Sequence, residues 1–356
     1  MSIYRVHNTW FTRLKQLQPN QNISRIRNFA WLIAGIYMSQ SVHLSRIANK
    51  MPGKAKLTST VQKLRRLLFN GAIRVRHWYH PVAQMLITRQ AQAGSIRLLV
   101  DGSTVGFSHQ LLIVALAYRR RALPIAWTWV KSNRGHSSAR KQLALLRYVH
   151  GLIPQGVVVS LAGDSEFGAI AVLRQLDAWH WHYVVRQKSS HWVSKTGIYW
   201  QQFGSLIEKP GQTHWSAGAY LTDQHGYQVN LLAHWEKGEK EPWLLSTNFS
   251  TPFLTLQGYS RRMWVEEMFG DFKGHGVDLQ NTHLRHFGRL SRLMLAVALL
   301  YVFVIALGSH VTKRGERPLV DRNERRDLSI FRIGFYSLER YLANQLDFEI
   351  QLAPYF

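Results

Sequence analysis

The chain is predicted to fold as an α/β protein behind a helical N-terminal region, and three features of its 356 residues carry that prediction. Apolar residues recur at helical spacing up to residue 93, buried strands alternating with helices follow, and a long apolar helix lies near the C-terminal end. In order, Asn22 to Gln40 and Val42 to Lys50 read as helices. Met51-Pro52-Gly53 breaks the pattern, and Thr58-Ser59-Thr60 is expected to cap a further helix through Lys63, Arg65, Arg66 and Leu67. Strands are expected at Arg97 to Val100, Gln110 to Tyr118, Leu123 to Val130, Val157 to Leu161 and His182 to Arg186, with helices at Ser138 to His150 and Gly168 to Trp179. The tight Tyr118-Arg119-Arg120-Arg121 connection makes the first three strands antiparallel neighbours. Residues 188 to 251, rich in Trp, Tyr, His and Gln and punctuated by glycines, read as a β-rich insertion, and residues 252 to 308 return to helix. A charged linker and a last amphipathic helix, Ile330 to Leu346, complete the chain.

Composition narrows the function. There are 45 Lys plus Arg against 20 Asp plus Glu, a net charge of +25, and residues 1 to 163 carry 24 of the basic residues with a single acid, Asp101. A surface kept free of acids over half a chain attracts a polyanion such as nucleic acid, and the 13 Trp supply stacking groups that a merely cationic tail lacks. With no cysteine, disulfides, zinc-thiolate sites and thiol nucleophiles are excluded, which fits a reducing cytosol. The N-terminus shows no export signal, so a cytoplasmic location is expected. Leu293 to Gly308 is apolar for 16 residues, shorter than the roughly 18 to 20 of a membrane span, and is expected to be a buried core helix.

The candidate chemistry lies in three places. Asp101 ends the first strand, where a carboxylate among basic residues is either salt-bridged or metal-bound. Asp164 closes the fourth strand in the string AGDSEFG; Glu166 competes with it, but Asp164 lies nearer the strand end and Phe167 can anchor the turn. In YSRRMWVEEMFGDFK, Tyr259, Arg262, Glu266 and Lys273 fall within an arc of about 60° on a helix, while Glu267 turns about 100° away from Glu266. An exposed i,i+4 ion pair of Arg262 with Glu266 is the bland alternative.

These residues carry a resemblance. Tyr, two residues, Arg, three residues, Glu, six residues, Lys, preceded by an Asp at the end of a first strand and a Gly-Asp-x-x-Phe string, resembles the DDE transposases of bacterial insertion sequences that bear the YREK signature. Glu241-Pro242-Trp243-Leu244-Leu245-Ser246-Thr247-Asn248, Met51-Pro52-Gly53-Lys54-Ala55-Lys56 and the apolar helix after Arg292 resemble that family as well. The strand order resembles the ribonuclease-H-like fold. The resemblance implies a helical DNA-binding region at 1–93, a ribonuclease-H-like core at 94–187 and 252–308 interrupted by the β-rich insertion at 188–251, and a C-terminal helical segment at 309–356 as a candidate dimerisation element.

It also implies the function. Asp101, Asp164 and Glu266 would hold two Mg2+ ions, for which Mn2+ can substitute, because an all-oxygen ligand set selects a hard cation. The resemblance implies cleavage of the terminal inverted repeats through a hairpin, followed by joining of the 3′-hydroxyl to target DNA. Tyr259, Arg262 and Lys273 would hold transposon-end phosphates, and Lys63, Arg65 and Arg66 would meet DNA on the basic helix. A homodimer on paired ends is expected, with Ile330 to Leu346 as the candidate interface. One of Trp192, Trp200, Trp215 and Trp235 could stack a displaced base, none of them singled out, and His136 is expected to be structural or phosphate-facing. A ribonuclease-H-like nuclease or resolvase and a non-catalytic DNA-binding repressor remain as alternatives.

Overall fold

The computed structural model describes residues 2–107, 109–131, 137–274 and 276–356; His136 lies outside them. Five helices open the chain: α1 (Ser2–Leu17), α2 (Ile23–Ser39), α3 (Leu44–Lys50), α4 (Leu57–Phe69) and α5 (Val75–Gln92). The Asn22 side chain starts α2 by accepting from the Ser24 and Arg25 N–H groups. Between α3 and α4 the Met51-Pro52-Gly53 break holds, with Gly53 at φ +141. The expected cap of α4 does not form: the helix begins at Leu57, ahead of Thr58-Ser59-Thr60, and Lys56 provides no side-chain cap. The Thr60 hydroxyl instead bonds back to the Lys56 carbonyl at 3.4 Å, the turn-internal bond such residues make inside a helix.

The sheet follows the expected order closely. β1 (Ser95–Val105), β2 (His109–Tyr118) and β3 (Arg121–Lys131) form an antiparallel meander; α6 (Ala139–His150) crosses to β4 (Val158–Gly163), and α7 (Ile170–Ala178) to β5 (His182–Arg186). The β2–β3 turn places Arg119 and Arg120 at φ 43 and 61, the two positive values a two-residue hairpin needs to match strand twist. β4 runs parallel to both β1 and β5. Nearly every residue of β2 and β3 is buried, as in strands covered on both faces.

The remaining strands, β6 (Trp192–Ser194), β7 (Gln201–Gln202), β8 (Thr213–Leu221), β9 (Tyr227–His234) and β10 (Trp243–Thr247), belong to the same sheet. Among the described residues its ten strands run β3-β2-β1-β4-β5-β10-β9-β8-β6-β7. β10 pairs with β5 through Leu245↔Arg186, Ser246↔Val185 and Thr247↔Val184, so the β-rich stretch extends the core sheet from its β5 edge. That edge would otherwise present unpaired backbone groups. Asp177 on α7 ties the seam, accepting from the Tyr227 hydroxyl and from Asn248 Nδ2 at 2.8 Å.

Among the described residues four α-helices complete the fold: α8 (Pro252–Ser260), α9 (Met263–Phe272), α10 (Phe287–Lys313) and α11 (Ile330–Ala343). Among the described residues α10 is the one helix long and apolar enough to cross a membrane, and 89% of its apolar window is buried inside the protein. It packs against α2, α4, α5, α11 and β3, which accounts for apolar residues around its whole circumference. α11 lies so close to it that a Cβ on Gly308 or Gly334 would overlap the facing helix backbone. The apolar face of α11, with Phe331, Phe335, Leu338 and Leu342 buried, is therefore covered within this chain and is not free to be the dimer interface expected of Ile330 to Leu346.

Candidate active site

Strand register builds the first half of the site. In the parallel β1–β4 pair Val100 stands opposite Gly163, so the next residue on each strand, Asp101 and Asp164, emerges side by side. The second half comes from the α8–α9 junction. Thr251 caps α8 by accepting from the Leu254 N–H, and Pro252 opens it. The helix does not continue to Lys273 as its spacing suggests. At Arg261 and Arg262 the backbone turns through three-residue hydrogen bonds, Arg262 N to Tyr259 O at 2.8 Å and Val265 N to Arg262 O at 3.1 Å, and α9 begins at Met263. Tyr259 is thus on α8, Glu266 on α9, and Lys273 beyond the end of α9 at φ −91, ψ −90. A single 60° helical face holding all four residues does not exist.

The turn directs Arg262 into the carboxylates. Its Nη2 lies 3.3 Å from Asp101 Oδ2 and 3.5 Å from Asp164 Oδ2, and its Nη1 lies 2.6 Å from Glu266 Oε1. The i,i+4 pair with Glu266 is therefore one arm of a three-carboxylate cluster rather than an isolated surface pair. Asp101 Oδ1 also accepts the Gly102 N–H at 2.7 Å. Burial pushes the Asp101 carboxyl up to about 6; Arg262 and the Gly102 N–H oppose that, and the charges of Asp164 and Glu266 add to it. Burial would lower the Arg262 guanidinium, but Asp101, Asp164, Tyr259 and Glu266 outweigh it and hold it above its ordinary value. Tyr259 is buried edge-on against Trp243, with ring centroids 5.0 Å apart. Burial pushes its hydroxyl up to about 12.

Not every expected site residue joins this cluster. Burial lowers the Lys273 ammonium, and no ion pair links it to the three carboxylates. Lys63, Arg65 and Arg66 are exposed on α4, which packs on α2, α3 and α10. Trp192 is exposed, whereas Trp200, Trp215 and Trp235 are half-buried. Glu267 faces β3, 3.1 Å from Arg121 Nη1, as its register requires. Glu166 turns away from Arg262: its Oε1 accepts from the Ser137 N–H and hydroxyl, both at 2.5 Å, and its Oε2 from Gln110 Nε2 at 3.1 Å. A residue missed in the sequence is Gly102, where a Cβ would lie 2.7 Å from Gln110 Nε2 and 3.2 Å from Glu166 Oε2. The string Asp101-Gly102 was its one visible signal.

Three carboxylates focused on one cation form a donor set of the kind a hard divalent ion takes. Arg262 stands on these oxygens, and among the described residues no three His, Asp or Glu side chains gather on their own into a metal-holding group. The fit is thus in the chemistry of the donors, whose shared contact here is the Arg262 guanidinium.

The chain belongs to the transposase DDE domain family: that family's model matches residues 98–303, more than half of the chain and a span that includes Asp101, Asp164 and Glu266. Domains of this family generally use divalent metal ions. Among solved structures, the chain is similar to the piggyBac transposase in its synaptic complex with hairpin DNA. The identity is 11% and the TM-score 0.45, over 97% of this chain and 81% of that one, a likeness too slight to bear on function. No curated protein matches the chain.

Proposed function

We propose that the chain is the DNA transposase of a bacterial insertion sequence of the YREK group, which binds the terminal inverted repeats, cleaves them through a hairpin and joins the 3′-hydroxyl ends to target DNA. The observation that carries this reading is the β1–β4 register, which sets Asp101 beside Asp164, together with Arg262, which links both to Glu266. The strand order β3-β2-β1-β4-β5, with three antiparallel strands followed by two parallel ones, supports a ribonuclease-H-like core.

Asp101, Asp164 and Glu266 would hold two divalent ions, Mg2+ by the hardness of the oxygen donors. When bound, such ions supply the charge that activates the attacking oxygen and stabilises the leaving one. The other groups act on the substrate. Arg262 is positioned to exchange its carboxylate contacts for a bidentate bond to a phosphate at the scissile bond. Tyr259, kept protonated by burial, has a hydroxyl to donate rather than a charge that would repel DNA. Lys63, Arg65 and Arg66 offer an exposed basic face for the duplex. Pairing of two ends calls for two chains, and the DNA places them at the bacterial nucleoid.

The test is cleavage of a labelled duplex carrying the element's terminal repeat, with Mg2+, by the native chain and by Glu266→Ala. The expected result is a hairpinned product at the repeat boundary with the native chain, at least 100-fold less with the variant, and equal binding by both. Cleavage retained by Glu266→Ala removes Glu266 from the site. Cleavage of branched DNA regardless of sequence makes the protein a resolvase.

A further inference from the structure

The segment following Lys273 returns to the end of the sheet beyond Asp101. Thr282 and Leu284 anchor it by burial, while His283, Arg285, His286 and Phe287 are exposed ahead of and at the start of α10. Each exposed phenylalanine ring in this region has a basic side chain against it. The Arg285 guanidinium lies 4.8 Å from the Phe107 ring centroid and that of Arg289 lies 5.0 Å from Phe69. The His109 and Phe287 rings meet edge to face at 5.6 Å. His283 connects these contacts to the N-terminal helices, 5.9 Å from Phe107 and 4.7 Å from His43. Phe69, Phe107 and Phe287 remain 63%, 49% and 36% exposed, and a cluster of such rings marks a binding surface.

The charge of this surface selects its occupant. Arg46, beside His43, pairs with Asp278 at 3.7 Å; the exposed Arg285 and the half-buried Arg289 pair with no carboxylate among the described residues, and the buried Nε of Arg289 has no hydrogen-bond partner among them. A guanidinium stacked on a ring keeps its N–H edge free for a phosphate. The location completes the argument. Phe107 is six residues past Asp101 on the β1 hairpin, at most about 20 Å of extended strand, and Phe69 is the last residue of α4, whose Lys63, Arg65 and Arg66 are exposed. The patch therefore bridges the carboxylate cluster and the basic helix.

We infer that residues 283–289, with Phe69, Phe107 and His43, form a contact surface for the backbone of double-stranded DNA, carrying the duplex from the carboxylates to α4. This rests on the reading of the chain as a DNA-acting transposase. The surface is sequence-independent, since it presents cations and ring faces rather than amides aimed at base edges.

The experiment is a fluorescence-anisotropy titration of the full chain with a terminal-repeat duplex and an unrelated duplex of equal length, over a series of KCl concentrations. The variants are Arg285→Gln with Arg289→Gln, and Arg285→Gln alone. The plot of log affinity against log salt is expected to lose about 2 in slope in the double variant and about 1 in the single, equally for both duplexes. The melting temperature is expected to stay unchanged, because Arg292, which bonds the Leu68 and Ile73 carbonyls, is retained. A native slope in both variants overturns the inference, and so does a loss confined to the repeat duplex. Absence of salt-dependent DNA binding by the native chain overturns instead the reading on which it rests.

Discussion

Arg262 carries more of the site than any other side chain, since its one planar charge reaches Asp101, Asp164 and Glu266 at once. Without it, the buried Asp101 would face the carboxylates of Asp164 and Glu266 with no cation between them, an arrangement that like-charge repulsion opposes. Glu166 acts differently. Through Ser137 and Gln110 it ties the turn that bears Asp164 to β2 and to the start of α6, and Gly102 leaves room for that tie beside Asp101. Because Gln110 Oε1 has no partner, the Gln110 amide can rotate to meet a glutamine. Glu166→Gln is therefore expected to keep cleavage within a few-fold of native. Glu166→Ala strands the Ser137 donors and is expected to cost about 1 to 3 kcal/mol of stability and 10- to 100-fold in cleavage, by the cost of an unmade buried hydrogen bond. Melting and cleavage rates of the two variants check this; equal loss in both would mean that the Glu166 charge itself takes part in the chemistry.

At the scale of elements, α9 is held by a buried group opposite Glu266. Asp271, 2% exposed, accepts from Arg121 Nε on β3 at 2.7 Å and from the Tyr301 hydroxyl on α10 at 3.2 Å. Burial pushes the Asp271 carboxyl up to about 6, against the pull of Arg121. A raised carboxyl binds its proton more tightly in the folded chain than in the unfolded one. Its contribution to stability is thus complete below about pH 4 and is lost as the pH rises through about 6, by up to about 3 kcal/mol. Asp271→Asn removes that component. The native melting temperature is expected to fall relative to the variant between pH 4 and pH 6 and to run parallel to it above; parallel curves throughout would refute the assignment. The break at Arg261 and Arg262 belongs to this scale too. Helical spacing could place Arg262 and Glu266 together, but the turn was decided by the attachment of Arg262 to strands more than 90 residues earlier in the chain.

For the molecule as a whole, the last two helices complete the core. Gly334 faces the Val304 carbonyl and Gly308 the Ile330 carbonyl at the α10–α11 crossing. Gly334→Ala forces these backbones apart and is expected to cost about 1 to 3 kcal/mol, as overpacking does, read as a lower melting temperature. Removing Ile330 to Leu346 uncovers the apolar face of α10. The sequence suggests that such a deletion would spare single-end DNA binding and abolish pairing. The packing predicts instead that the truncated chain fails to fold, visible as loss of the cooperative melt; a truncated chain that melts normally and binds one end would restore the interface reading.

The alternation of strands and helices, the antiparallel Arg119-Arg120 hairpin and the burial of α10 follow from local periodicity, turn geometry and a continuous apolar run, so they could be read along the chain. The choice of Asp164 over Glu166 as the partner of Asp101 could be anticipated from its nearness to the strand end, but the contacts that separate them, Arg262 for one and Ser137 with Gln110 for the other, join residues far apart in sequence. The same holds for the β10–β5 pairing that makes one sheet of ten strands, and for the stacked cations at 283–289, where HLRHFGR shows its rings and charges but not the Phe69 and Phe107 they lean on. Local pattern determines which elements form, because backbone propensity and burial act within a few residues. Register and side-chain convergence arise only when distant segments pack, and the site is made of such convergences.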